Sequence, residues 1–259
     1  MSIEMAGHSD VGRKRKQNED TFLVLKPPAQ PSLSVDAVLL VADGMGGHER
    51  GEVASNHVRD VFEAVFAEQY QEFLENYTPD SLEAALRTLY LESHSNLRAM
   101  SAELASSSDS REQMGTTLTV ALIAGNNLTL GHVGDSRAYL VREGMIAQLT
   151  EDHTMAHLMV KAGKMTEAEA ATSRYSHALS QALGASKKIS PDLETFPLEA
   201  GDTLLLCSDG LSRYLQEAEL VEAVQQHAPE AACQNLIETA NSRGGRDNIT
   251  VVIARIPTA

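Results

Sequence analysis

The chain has 259 residues, of which 42% are apolar, enough to bury a sizeable core in one large domain or two small ones. Its formal net charge of -15 argues against a sequence-independent nucleic-acid binder, which needs surplus Lys and Arg to displace counterions, and the one basic run, Arg13-Lys14-Arg15-Lys16, is brief. Two cysteines, Cys207 and Cys233, exclude a disulfide framework, and no Cys/His spacing suits zinc. The start, Met1-Ser2-Ile3-Glu4, does not read as a signal peptide, and no apolar run reaches bilayer length, so the expectation is a cytoplasmic protein in a reducing compartment.

In chain order, residues 21–26 and 37–42 read as strands joined by a loop with Pro27, Pro28 and Pro31. From 51 to about 75, Ala54, Val58, Val61, Phe62, Val65 and Phe66 recur at helical spacing. Thr78-Pro79 offers an N-cap and a first-turn proline for a second helix through Leu82, Leu86, Leu89 and Leu97 toward Leu104. A polar loop at 106–110 follows, then strands over 116–124, 128–133, 137–142 and 145–149, whose short connections predict an antiparallel meander. Residues 151–176 read as a polar, helix-prone excursion, with Gly163 closing one helix and Thr166 opening another through a capping box. Strands over 193–196 and 203–208, two helices between 216 and 241, and a strand over 249–256 complete the chain. No linker divides it, so a single domain over 1–259 is expected, α+β in class because strand runs alternate with helix pairs.

The informative feature is where aspartates fall. Asp43 follows Val38-Leu39-Leu40-Val41-Ala42, Asp135 follows Leu130-Gly131-His132-Val133-Gly134, Asp209 follows Leu204-Leu205-Leu206-Cys207-Ser208, and Asp247 precedes the last strand. Singly, Asp43-Gly44, Asp209-Gly210 and Asp247-Asn248 read as turns, and Asn18-Glu19-Asp20 as an acidic loop. Together, like charges at the mouths of apolar strands cost stability unless a cation offsets them. All-oxygen ligation suits Mg²⁺ or Mn²⁺, and two such ions can activate a water and clamp an in-line displacement at phosphorus.

The chain resembles the metal-dependent protein phosphatases, also called type 2C, and in particular their compact bacterial members. The resemblance runs in order through Asp10-Val11-Gly12 with Arg15 and Asn18-Glu19-Asp20, then Val41-Ala42-Asp43-Gly44-Met45-Gly46-Gly47, Gly115-Thr116-Thr117, Gly134-Asp135-Ser136-Arg137, Ser208-Asp209-Gly210-Leu211 and Asp247-Asn248-Ile249-Thr250. It implies a four-layer αββα sandwich, two antiparallel sheets flanked by helix pairs, with the metal centre at one end. It further implies that Asp43 bridges two metals, that Asp209 and Asp247 complete the first ion's shell, that Gly44 offers its carbonyl to the second, and that Glu19 or Asp20 holds waters there. Asp135 corresponds to a ligand of a weaker third ion.

By the same resemblance Arg15 grips the substrate phosphate, a task that suits a guanidinium fork, and His48 protonates the departing serine or threonine oxygen. Gly46 and Gly47 let the backbone turn close to the metals, Thr116 and Thr117 stand in a strand behind the ligands, and His132 and His153 belong to structure or to the flap, the excursion over about 151–178. The implied activity is hydrolysis of phosphoserine and phosphothreonine on protein substrates by a hydroxide bridging two ions, opposite a bacterial serine/threonine kinase, by a monomer. Two alternatives stand beside it. Cys207 and Arg213 have the Cys-x5-Arg spacing of thiolate phosphatases, although Asp209 lies inside that loop; and a catalytically silent member of the fold would bind partners without chemistry.

Overall fold

The structure, a computed structural model, describes residues 3–28, 35–46, 49–69, 81–107 and 114–258. Its strands are β1 (Glu4–Asp10), β2 (Asp20–Leu25), β3 (Ala37–Met45), β4 (Gly115–Thr116), β5 (Leu118–Ala124), β6 (Asn127–Val133), β7 (Arg137–Arg142), β8 (Met145–Gln148), β9 (Asp192–Pro197), β10 (Thr203–Cys207) and β11 (Ile249–Arg255). Its helices are α1 (Glu49–Ala64), continued by a π-helical turn over Val65–Gln69, α2 (Leu82–Ser107), α3 (Met155–Lys161), α4 (Glu167–Thr172), α5 (Asp209–Ser212), α6 (Glu217–Gln226) and α7 (Pro229–Ser242). One sheet runs β1-β11-β10-β7-β8 and the other β2-β3-β5-β6-β9 with β4 beside β3, and the pairings are antiparallel.

The apolar strands are continuous because both faces are covered. In β3, Val38, Leu40 and Ala42 face a core shared with α1 and α2, where Phe62, Phe66, Leu86 and Tyr90 pack. The alternate residues Ala37, Leu39 and Val41 face a second core between the sheets, meeting Leu204 and Leu206 of β10 and Val252 and Ala254 of β11. On the far side, Leu205, Cys207, Val251 and Ile253 pack on Leu220, Val224, Leu236 and Ile237 of α6 and α7. The result is the expected αββα stack. Each fully buried Leu or Ile contributes about 2 kcal/mol, so the strands can carry costly polar groups at their ends.

Several local expectations are corrected. The connection from β6 to β7 is no hairpin: the chain crosses from one sheet to the other through Gly134-Asp135-Ser136, with Gly134 at a φ of 120°, and so the four strands do not form one meander. The strand expected over 116–124 is broken at Thr117, whose amide and hydroxyl both turn to Asp43. The helix α2 continues through Ser107, into the stretch read as loop, because serine costs little in a final turn. β1 escaped the pattern reading: its residues Glu4 to Asp10 are half-covered and mostly polar, and only its register with β11 makes it a strand. Residues 70–80, with the expected end of the first helix and the Thr78-Pro79 cap, lie outside the described residues. In the excursion both caps hold: Thr154 starts α3, Gly163 follows its end with φ of 66°, and Thr166 with Glu169 forms the capping box of α4.

Candidate active site

The alternation that builds the core also aims the acids. In β3 the odd-numbered residues face the other sheet, so Asp43 points into the same layer as Ala37, Leu39 and Val41, at its open end. In β2, Phe22 and Val24 face that layer, and so does Asp20, which lies opposite Asp43 in register. From the second sheet, Ser208 and Thr250 reach across and donate hydroxyl hydrogen bonds of 2.7 Å each to Asp20 Oδ2. Asp209 opens α5 just past β10, Asp247 stands ahead of β11, and Asp135 sits on the crossing between sheets.

The backbone around these acids is fixed by residues that cannot be exchanged freely. The Thr117 hydroxyl accepts from the Asp43 amide at 2.9 Å, the Thr117 amide donates to the Asp43 carbonyl at 2.9 Å, and the Thr116 hydroxyl donates to that carbonyl at 3.0 Å. Asn248 is a clamp that sequence reading missed. Its Oδ1 accepts from the Glu19 amide at 2.9 Å, and its Nδ2 donates to the carbonyls of Val11 and Gln17 at 3.0 and 2.9 Å, holding the β1–β2 loop that carries Arg15 and Glu19. The two Asp-Gly pairs are not turns. Gly44 lies in β3 and Gly210 in α5, and a Cβ on them would stand 2.1 Å from the Gly51 carbonyl oxygen and 1.9 Å from that of Asn248. Glycine is there so that strand, helix and loop can close on one another.

Arg15, Glu19, Asp43, Gly44, Asp135, Asp209 and Asp247 line a single cavity of about 340 Å³, together with Thr117, His177, Arg213 and Asn248. Asp20 lies directly behind it and is not part of the lining. His48 lies outside the described residues. His177, at the end of the flap, was not singled out from sequence, because a lone histidine in a polar stretch carries no spacing signal. It lines this cavity and a second of about 480 Å³ beneath the flap, which Glu151, Asp152, His157 and Glu167 also line.

The charge of this end is only partly compensated. Burial raises the Asp20 carboxyl to about 7 even against two hydroxyl donors, raises Asp135 to about 8, and raises Asp209 to about 6 although Arg213 pulls it down. Asp43 is pushed well above the ordinary carboxylate range by burial and then by Asp20, Asp209, Asp135 and Asp247. Asp20 Oδ1 and Asp209 Oδ1 are buried without a hydrogen-bond partner. Acceptor oxygens without donors, among carboxyls that repel one another, fit hard divalent cations. As the side chains stand, no three His, Cys, Asp or Glu groups among the described residues close on one point. Arginines hold two of the carboxylates instead: Arg15 donates to Asp247 at 2.9 Å, and Arg213 pairs with Asp209.

The flap is tied to this end by Arg137, which forms a bidentate pair with Asp152 at 2.8 Å on each arm, and by His153, which bonds the Gly134 amide and Asp192. His132 is buried beneath, bonded to Thr119 and to the carbonyls of Gly134 and Glu151, and burial lowers it to about 4, a structural residue as expected. The thiolate alternative has no support here. Cys207 is fully buried between β7 and β11, burial pushes its thiol up to about 12, and Arg213 faces carboxylates.

Comparison with known proteins agrees with this geometry. Residues 6–159 match the Protein phosphatase 2C family. The serine/threonine phosphatase stp of Listeria innocua is 34% identical over 253 residues, covering 95% of this chain and 92% of that protein. The crystal structure of the Mycobacterium tuberculosis serine/threonine phosphatase PstP/Ppp superposes with a TM-score of 0.82 at 34% identity, covering 99% of this chain and 100% of the other. A structure of the PstP catalytic domain in complex with 2 manganese ions superposes with a TM-score of 0.77 at 34% identity, covering 98% of each chain. With its αββα stack, its carboxylate-lined end and these relatives, the chain belongs to the protein phosphatase 2C family.

Proposed function

We propose that this chain is a metal-dependent phosphatase that removes phosphate from serine and threonine side chains of proteins, working as one catalytic domain. The observation that carries the reading is the convergence of Asp43, Asp135, Asp209 and Asp247 on one cavity beside buried, unpartnered acceptor oxygens. Asp43 would stand between two ions, Asp209 and Asp247 on the first, the Gly44 carbonyl on the second, and Glu19, with Asp20 behind it, would order waters. Asp135 would serve a weaker third ion. Bound Mn²⁺ or Mg²⁺ would supply an acidified water as nucleophile and would take up charge on the phosphoryl oxygens.

The chain's own residues do the rest. Arg15 is half-exposed at the rim, and on leaving Asp247 its guanidinium can donate to two phosphoryl oxygens in one plane. Asn248 sets where that arginine stands. His48 is proposed as the proton donor to the leaving serine or threonine oxygen. The Asp20–Ser208–Thr250 network keeps the floor rigid, so the ligands need not reorganise during the reaction.

Among the described residues no helix is long and apolar enough to cross a membrane. We place the activity in the cytoplasm, in a monomer that acts in signalling against a serine/threonine kinase; the bacterial relatives named serine/threonine phosphatases support the phosphatase activity in that reading. The test is phosphate release from a phosphothreonine peptide. The purified protein is expected to be silent in EDTA and active with Mn²⁺, and equal rates in both would end the two-ion reading.

A further inference from the structure

We propose that Arg213 is a tethered cation that occupies the space between Asp135 and Asp209 and competes with the weakest-held divalent ion of the centre. The inference rests on the two-ion reading above and goes beyond it. Arg213 closes the short helix α5, its amide bonded to the Asp209 carbonyl at 3.0 Å, and from there its side chain folds back one turn. Nη2 pairs with Asp209 Oδ2 and lies 3.9 Å from Asp135 Oδ2. Both carboxylates are nearly buried, with side chains 12% and 10% exposed, so this guanidinium is a large share of the positive charge they meet.

Two further observations give the contact a direction. Asp209 Oδ1 is buried and unpartnered, so the arginine takes one Asp209 oxygen, with the same nitrogen that approaches Asp135, and leaves the other for an ion. Arg213 also lines both the carboxylate cavity and the one beneath the flap, where Glu167 offers a carboxylate to a displaced guanidinium, while Glu151 and Asp152 there are paired with Lys161 and Arg137. The side chain therefore has a place to go when a cation arrives between Asp135 and Asp209. Loading of that position then exchanges one cation for another, and its apparent affinity is lowered by the exchange.

The experiment is equilibrium dialysis of EDTA-stripped full-length protein against Mn²⁺, counting ions per chain, with the melting temperature of each stripped sample recorded. In Arg213→Gln the weakest class of Mn²⁺ is expected to bind about ten-fold tighter, and the stripped protein to melt lower than wild type. Arg213→Lys keeps the charge without the fork; it carries the same test with a smaller gain, about three-fold. In an Asp135→Asn background the gain is expected to vanish. Wild-type protein that binds tight Mn²⁺ while the weak class is unmoved by either substitution would overturn the role of Arg213 and leave the two-ion reading standing. A gain that survives Asp135→Asn would overturn it equally. Wild-type protein that binds no Mn²⁺ would overturn both.

Discussion

The strand β10 carries a buried carboxylate at each end, and the two are treated in opposite ways. Asp202, just before the strand, is 1% exposed, and its needs are met: Arg142 donates to both oxygens at 2.8 and 2.7 Å, and the Glu199 amide adds a bond of 2.8 Å. Asp209, just after the strand, shares a cavity with four further acids, Glu19, Asp43, Asp135 and Asp247, and has one oxygen with no partner. The first arrangement is a satisfied structural ion pair. The second is stored repulsion, which the fold tolerates because the cores between and outside the sheets stabilise it. Burial alone does not separate a functional carboxylate from a structural one, but the balance of donors does.

The sharpest way to break the comparison is at Asp43. Asp43→Asn is expected to lower phosphate release by about 10³-fold or more, since several kcal/mol of charge stabilisation depend on the ions it would hold. The same change should raise the melting temperature of the metal-free protein, because it removes a group whose ionisation burial and four other acids oppose; a loss of both activity and metal-free stability would contradict this account. Asn248→Ala comes next. Freeing the loop that carries Arg15 and Glu19 should cost about 10²-fold in kcat/KM, measured with a phosphothreonine peptide, by misplacing groups that still bear their charges.

At the other end of β10, Asp202→Ala should lower the melting temperature by about 5 °C while Mn²⁺ binding per folded molecule stays as in wild type. A shift in Mn²⁺ affinity there would mean that the two ends are coupled. The smallest expected effect is in pH dependence. In the fold, Asp20, Asp135 and Asp209 are held at about 7, about 8 and about 6, above their ordinary values. Their contribution to metal-free stability is thus fully present below about pH 4 and is lost as pH rises through those values. The metal-free melting temperature should fall by a few degrees between pH 5 and pH 8, and Mn²⁺, which binds the ionised forms, should reverse the trend in a thermal scan.

Much of this was legible in the sequence because the signals are local. A run such as Val38-Leu39-Leu40-Val41-Ala42 can only be a strand covered on both faces, and an acid at its end inherits the direction that the alternation sets. Asp43, Asp135, Asp209 and Asp247 were readable for that reason, and the order of the motifs carried the family. What was not legible depends on contacts between distant residues. Nothing in Glu4 to Asp10 announces a strand until β11 lies beside it, and Asn248 looks like the second half of a turn until Val11, Gln17 and Glu19 are seen to close on it. Likewise Gly44 and Gly210 read as turn glycines, whereas their task is to admit a carbonyl from elsewhere in the chain. Arg213 is the clearest case: its spacing to Cys207 suggested a thiolate loop, and its place in the fold is among carboxylates.

The central claim is that divalent ions relieve the repulsion at the Asp209 end and run the reaction from the same position. Its most direct test is a single Mn²⁺ titration of EDTA-stripped protein at pH 8, followed in parallel by melting temperature and by phosphate release from a phosphothreonine peptide. The account predicts that both rise together over one range of Mn²⁺, and that Asp43→Asn abolishes the activity and blunts the gain in stability. Activity that is full before any Mn²⁺ is added, or a melting temperature that Mn²⁺ leaves unmoved, would contradict it.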